Sequence, residues 1–413
     1  MAPAPRRTAR RGPAFLTAAV VASATLAPPT AFAASSPPPP PPGGAHAPPG
    51  VVARGPAFGA FLHYGPTGVR RMKELSRWLD GREPRVGHTY LPGDVWHNIE
   101  GAPGFLDSWA TWRRAKADRM LVLNVPMMER NEGNVPDTEV RELLRRGADG
   151  AFDAHFEVLA ERLVGLGVPD TVIVLGWEMN GVTYTHRCGP DPDSWKRYWK
   201  RVVTVMRSVE GQRFTFDFAP SRGMDAIPWP ECYPGDDVVD IIGMDSYDQP
   251  RGVGFDEQVS EPYGLRHHVD FARRHGKPIS YPEWGLFHNG DNITYMLRML
   301  AWMDEHKPLY NTITDYCPHG VWLCSDNPRA AALYRVLLST PLTPRPEPGP
   351  EPGPSAPVPA PGNAAAGVAG PEPDPTPQAM PSRLPRCTPL ELAKWLKHQV
   401  GGKLRVCLKW EER

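Results

Sequence analysis

The sequence predicts a (β/α)8 barrel set between two proline-rich spacers, and three observations carry that expectation. Continuous apolar runs, the mark of parallel strands buried on both faces, recur eight times between Val51 and Thr340. Most are followed by a stretch of helical period. The span is also of the usual size for such a barrel, about 250 residues plus insertions. The rival is a doubly wound open sheet, which ordinarily carries a glycine-rich phosphate turn, and neither GxGxxG nor GxxxxGK occurs. HExxH and GxSxG are absent as well, so zinc-protease and serine-hydrolase readings lose their usual support.

In chain order, the strand candidates are Phe58 to Tyr64, Arg85 to Tyr90, Met120 to Pro126, Thr171 to Trp177, Arg213 to Pro220, Val239 to Tyr247, Pro278 to Gly285 and Asn311 to Cys317. Helical patterns are clearest at Val69 to Leu79, Ala151 to Leu166, Asp193 to Val209, Tyr263 to His275, Ile293 to His306 and Pro328 to Leu338. The second and fifth crossovers are the weakest.

The flanks have a different chemistry. Residues 1–33 read as a secretory signal, with a basic head at Arg6, Arg7, Arg10 and Arg11, an apolar stretch from Ala14 to Ala27, and a small-residue site at Ala31 to Ala33. The paired arginines leave both the general and the twin-arginine export routes open. Residues 34–50 form a stiff Pro/Gly spacer and 341–386 a second one, and together they hold most of the surplus among the 51 prolines. Residues 387–413 regain pattern: TPLELAKWLKHQV reads as a helix with Thr388 as cap, and KLRVCLKW alternates like a strand. So small a module needs a staple. Six cysteines in an exported chain favour disulfides, and chain order suggests Cys188 with Cys232, Cys317 with Cys324 and Cys387 with Cys407, other pairings remaining open. The mature protein is expected to be secreted and to act as a monomer.

Charge narrows the partners. Lys+Arg 46 against Asp+Glu 46 leaves no net field to favour nucleic acid or an anionic membrane. No segment beyond the signal approaches the ~18 to 20 apolar residues of a membrane span. No His/Cys/Asp spacing calls for a metal, and no cofactor is expected.

The chemistry gathers at two strand ends. TVIVLGWEMNG (Thr171 to Gly181) is a buried strand running into Glu178, and KPISYPEWG (Lys277 to Gly285) repeats the design with Glu283. In a barrel the C-terminal strand ends converge on one mouth. The two acids lie three βα units of about 35 residues apart, which places them across that mouth from each other. Glycoside cleavage needs such a pair, one carboxyl protonated for the leaving oxygen and one ionised to attack the anomeric carbon. Trp177 and the apolar strand beside Glu178 favour its protonated form, hence the acid/base role. Glu283 suits the nucleophile if a hydroxyl steadies its charge, and Tyr247 is placed for that. Sugar rings stack on aromatic faces, so Trp177, Tyr184, Tyr247, Trp284 and Trp322 are substrate-binding candidates, with Tyr64 and Tyr90 near them. His63, His88, Asn180 and Asp245 are the polar candidates, although His63 and His88 fit a structural role equally well, as does Trp322.

These stretches also carry a family resemblance. WEMNG (Trp177 to Gly181) resembles the HEMNG acid/base motif of glycoside hydrolase family 26, the endo-β-mannanase family of clan A. FDFAPSRG (Phe216 to Gly223), YPGDDVVDIIGMDSYD (Tyr233 to Asp248) and KPISYPEWG resemble its fifth, sixth and nucleophile strands, so the likeness covers about Val51 to Thr340. The resemblance implies a retaining double displacement with Glu178 as acid/base, Glu283 as nucleophile and Tyr247 hydrogen-bonded to it. The chain departs from the pattern at Trp177, where the family usually has His, which leaves the sugar open between a mannan and a related β-glycan. A carbohydrate-binding protein on a catalytically dead barrel and a transglycosylase are the alternatives. The basic, tryptophan-bearing segment 387–413 suits contact with a cell wall or glycan, or has no partner at all.

Overall fold

The computed structural model describes residues 56–339 and two short strands, Cys387–Pro389 and Arg405–Cys407. The expected signal, both spacers and most of the 387–413 module lie outside the described residues.

The chain closes an all-parallel barrel. Its strands are β1 (Ala57–Phe61), β2 (Val86–Tyr90), β3 (Met120–Val125), β4 (Val172–Leu175), β5 (Thr215–Phe218), β6 (Ile241–Gly243), β7 (Ser246–Tyr247), β8 (Ile279–Gly285) and β9 (Tyr310–Thr314). Neighbours pair in sequence from β1 to β6, β6 pairs with β8, and β9 returns to β1. The short β7 continues β6 after a break at Met244 and Asp245 and pairs with the end of β8. Eight staves therefore form the expected (β/α)8 barrel.

Helices cover the staves. They are α1 (Gly65–Trp78), α2 (Trp96–Ile99), α3 (Asp107–Arg114), α4 (Asp137–Ala148), α5 (Asp153–Gly165), α6 (Pro192–Ser208), α7 (Phe255–Ser260), α8 (Leu265–Arg274), α9 (Ile293–His306) and α10 (Pro328–Ser339). Six of them, α1, α5, α6, α8, α9 and α10, fall where apolar periodicity predicted them. On α6 the buried Trp195, Tyr198, Trp199, Val202, Val203 and Met206 recur at helical spacing and form one stripe against the barrel. Asp191 caps that helix by accepting the Ser194 N–H (3.1 Å). The second crossover breaks into the short α2 and α3, and the fifth holds a single turn of 3-10 helix, Trp229–Cys232. α4 was not anticipated, because only Val140, Leu144 and Gly147 are buried on it. Gly147 lets it lie close to α6, since a Cβ there would sit 2.7 Å from the Tyr198 ring.

Parity along the staves sorts side chains between two apolar layers. Ile173, Leu175, Phe216 and Phe218 face the helices, while Val86, Val122, Val172, Val174, Ile241 and Tyr310 meet inside the barrel. Disulfides join Cys188 to Cys232 and Cys317 to Cys324. The strands Cys387–Pro389 and Arg405–Cys407 pair antiparallel with Cys387 opposite Cys407; the side chains of that expected third bridge lie outside the described residues.

Candidate active site

Glu178 stands just past β4, on a turn that the backbone holds in a rarely used shape. Gly176 and Glu178 both have φ in the left-handed region, 59° and 50°. Glycine takes this freely, and a Cβ at Gly176 would also strike the Met127 sulfur at 2.5 Å. For a glutamate the same conformation is strained. It persists because the turn is strapped on every side. The Glu178 N–H donates to the Ala219 carbonyl (2.8 Å), the Cys188 N–H to the Met179 carbonyl (2.7 Å), and His186 Nε2 to the Trp177 carbonyl (2.8 Å). Asn180 clasps Ser221, accepting its N–H at 2.9 Å and donating to its carbonyl at 3.1 Å. The Cys188–Cys232 bridge closes the same loop.

Glu283 reaches the mouth by a different device. Tyr281 on β8 faces outward, where its hydroxyl accepts from Trp302 of α9 (2.7 Å). Strict alternation would turn Glu283 outward too. Between Tyr281 and Trp284, however, β8 advances three residues while β9 advances two, from Asn311 to Ile313. This bulge swings Glu283 into the barrel and leaves Trp284 outside. There Glu283 Oε2 accepts from the Tyr247 hydroxyl (2.7 Å) and Oε1 from Asn124 Nδ2 (3.1 Å), and Tyr90 supplies a further side-chain bond.

The two acids differ in the donors that meet them. Burial, reinforced by the negative charge of Glu283, raises Glu178 to about 8, against one lowering side-chain bond from Ser221. Burial raises Glu283 as well, but three donors, Tyr247, Tyr90 and Asn124, stabilise its ionised form. Glu178 therefore keeps its proton at neutral pH, while the donors around Glu283 oppose the rise that burial imposes on it. Asp245 lies under both. Its Oδ1 accepts the Glu283 N–H (3.1 Å), and burial together with Glu283, Glu178 and Asp217 pushes its carboxyl well up.

The predicted residues divide by position. Tyr247 touches Glu283, and Tyr184 is half-buried within the field of both acids. Trp177 is buried inside the barrel, its ring 5.6 Å from Tyr90 and 5.0 Å from Tyr184. Asn180 is fully buried and spends its amide on Ser221 rather than at an open face. His63 is exposed after β1, whereas His88 is fully buried on β2, and burial lowers its imidazole to about 4. Of the other two tryptophans, Trp284 departs from expectation, while the sequence leaves Trp322 open between substrate contact and a structural role. Trp284 is buried between β8 and the helices, with Nε1 on Asn311 (3.2 Å) and its ring near Tyr334 of α10, because the bulge reverses its side. Trp322 is partly buried in the Cys317–Cys324 loop, where the Asp315 carboxylate accepts its N–H together with those of Val321 and Leu323.

The anticipated Tyr64 (43% exposed) stands at the mouth with Tyr316 (47%), which was missed; both feel the charges of Glu283 and the exposed Glu132, and Phe105 lies 6.1 Å from Tyr64. Asp225 adds its charge to that raising Glu178. Asn124 had a legible signal, as the lone polar residue in the apolar run MLVLNV.

Residues 171–280 match the family model described as Glycosyl hydrolase family 26. The barrel and this match define the class, a glycoside hydrolase. The particular resemblance, to family 26, is the one that WEMNG and its companion stretches carry. No curated protein sequence matches the chain. Among solved structures, the chain is similar to the catalytic domain of a family 26 endo-β-1,4-mannanase from Bacillus sp. JAMB-750, at 18% identity and a TM-score of 0.52 over 69% of this chain and 85% of that one. It is likewise similar to a family 26 β-mannanase from Bacteroides ovatus (18% identity, TM-score 0.50, 70% and 89% covered) and to an endo-β-1,4-mannanase double mutant from Cellulomonas fimi (17%, 0.52, 69% and 70%). At these identities the likeness is one of fold.

Proposed function

We propose that the protein is a secreted retaining glycoside hydrolase that cuts an internal β-linkage in a mannan-like or related β-glycan, with Glu178 as acid/base and Glu283 as nucleophile. The observation that carries this reading is the pair of acids at one mouth, one raised to about 8 by burial and a charged neighbour, the other met by three side-chain donors that favour its ionised form. In the first step a Glu283 oxygen attacks the anomeric carbon, the glycosidic C–O bond breaks, and the Glu178 proton passes to the leaving oxygen. In the second step the Glu178 carboxylate takes a proton from water, the oxygen of that water attacks the anomeric carbon, and the ester to Glu283 breaks. Two inversions retain the configuration. No metal is required by these steps. The exposed Tyr64 and Tyr316 offer faces for sugar rings beside the acids.

The test is a panel of mannan, glucomannan, mixed-linkage glucan and xylan with product sizing, run on the parent, Glu178→Gln and Glu283→Gln. One polymer is expected to be cut internally, with the β-anomer released first by NMR, and each glutamine variant is expected to lose turnover by several orders of magnitude while still binding glycan. Binding without cleavage by the parent would instead establish a carbohydrate-binding protein, and products longer than the substrate a transglycosylase. Secretion is checked by whether a host exports the full chain and removes residues 1–33.

A further inference from the structure

The inward face of β9 carries three hydroxyls in a row, Tyr310, Thr312 and Thr314, at every second position. The lowest bonds Asp217, away from the mouth (2.6 Å). The other two stand at the roots of hydrogen-bond chains that end on Glu283.

Each chain has one consistent direction. The Glu283 carboxylate only accepts, so Asn124 presents Nδ2 to Oε1 (3.1 Å) and therefore turns Oδ1 towards His88. That oxygen also only accepts, so His88 Nε2 must carry a hydrogen to donate to it (2.8 Å). Burial keeps His88 neutral, which leaves Nδ1 bare to accept the Thr312 hydroxyl (3.0 Å). Thr312 Oγ1 donates towards the Pro282 carbonyl as well, so its single hydrogen is shared between that oxygen and the bare ring nitrogen. On the other oxygen, Tyr247 donates its only hydrogen to Oε2 (2.7 Å), so the Thr314 hydroxyl must donate to the Tyr247 oxygen (2.7 Å). Thr312, Thr314, His88 and Asn124 are all buried to within 1%. Chains of buried hydrogen bonds polarise one another, so a donor two links away strengthens the bond at the end. Threonine suits this task, since its branched side chain is stiff about χ1.

We propose that Thr312 and Thr314 are positioning residues for Glu283, acting on Oε1 through His88 and Asn124 and on Oε2 through Tyr247. The inference rests on the reading of Glu283 as the nucleophile. Other groups also face that carboxyl: Tyr90 from β2, Glu178 beyond β4, and Asp245 before β7, with Asp217 behind Asp245. Tyr64, Tyr184 and Tyr316 stand further out at the mouth. The threonines act on top of this fixed field.

The experiment compares Thr312→Val and Thr314→Val, which keep shape and lose the hydroxyl, with Thr312→Ser and Thr314→Ser, which restore it. Two quantities are read. One is the acid limb of kcat/KM against pH; the other is the titration of the Glu283 side-chain carbon by 13C NMR, assigned with Glu283→Gln and independent of turnover. Each valine is expected to move both upward by roughly half a pH unit and to lower kcat several-fold with KM nearly unchanged, and each serine to return them. Valines that cost activity without moving the carboxyl titration, or serines no better than valines, overturn the proposal. The two arms are separate, so either valine alone tests it if the other does not fold. A titration that moves in a protein cutting no glycan keeps the relay and removes the hydrolase reading. An active parent whose titration stays put does the reverse.

Discussion

Glu178 and Glu283 face one mouth, yet the chain holds them by different means. Glu178 is placed by main chain: a left-handed turn, straps from Ala219, Cys188 and His186, and a disulfide nearby. Few donors reach its carboxyl, and burial beside a second acid drives it up to about 8. Glu283 is placed by side chains on a buried strand, with donors on both oxygens. The difference follows the roles proposed for them. A group that must keep its proton is denied donors and given a charged neighbour, and a group that must stay ionised is surrounded by hydroxyls and an amide.

The contrast breaks most visibly through substrates with an activated leaving group. Glu283→Gln is expected to lose roughly 10^4-fold or more in kcat on any substrate. Glu178→Gln should match that on polysaccharide but keep most of its first-step rate on a dinitrophenyl glycoside, whose leaving group needs no proton; burst kinetics reads it. Equal losses on both substrates would remove the division of labour. Tyr247→Phe, which strips one donor from a carboxylate, is expected to cost about 10- to 100-fold in kcat and to move the acid limb of the pH profile upward.

Smaller effects sharpen the main-chain side. Replacing Cys188 and Cys232 together with serine should cost about 2 to 4 kcal/mol of stability in denaturant melts, with kcat falling further than KM changes because the Glu178 turn loses a strap. Glu178→Gln should raise the melting temperature by a few degrees. The sign follows from linkage: the folded carboxyl binds its proton more tightly than the unfolded one, so its contribution to stability is full below the unfolded value near 4.5 and is lost as pH rises towards 8. The gain on removing it should therefore be larger at pH 8 than at pH 5. Least of all, Asp225→Asn should lower the alkaline limb of the activity profile by a few tenths of a pH unit, since Asp225 contributes the last of the raising charges on Glu178.

How far these features were legible depends on the range of the interaction behind them. The staves and the helices α6 and α9 could be read because burial imposes a local period, and Ile293 to His306 was read to the residue. α4 escaped because its buried stripe is only three residues wide. Trp284 was misplaced by the same bulge that brings Glu283 into the barrel, since a single unpaired residue on β8 exchanges the two faces beyond it. Asn180 looked like a polar group at the mouth, and its partner, the Ser221 backbone, stands 41 residues away. Thr312 and Thr314 read only as β-branched strand formers, because nothing in NTITDYC names a partner on β2 or β7.

Local order alone determined the barrel and which strand ends carry acids, because hydrophobic period and residue type act over a few positions. Only the closed structure decided which way Glu283 points, which donors meet it and why Glu178 keeps its proton. Those outcomes depend on register between strands and on desolvation by distant neighbours, and neither has a length scale along the chain.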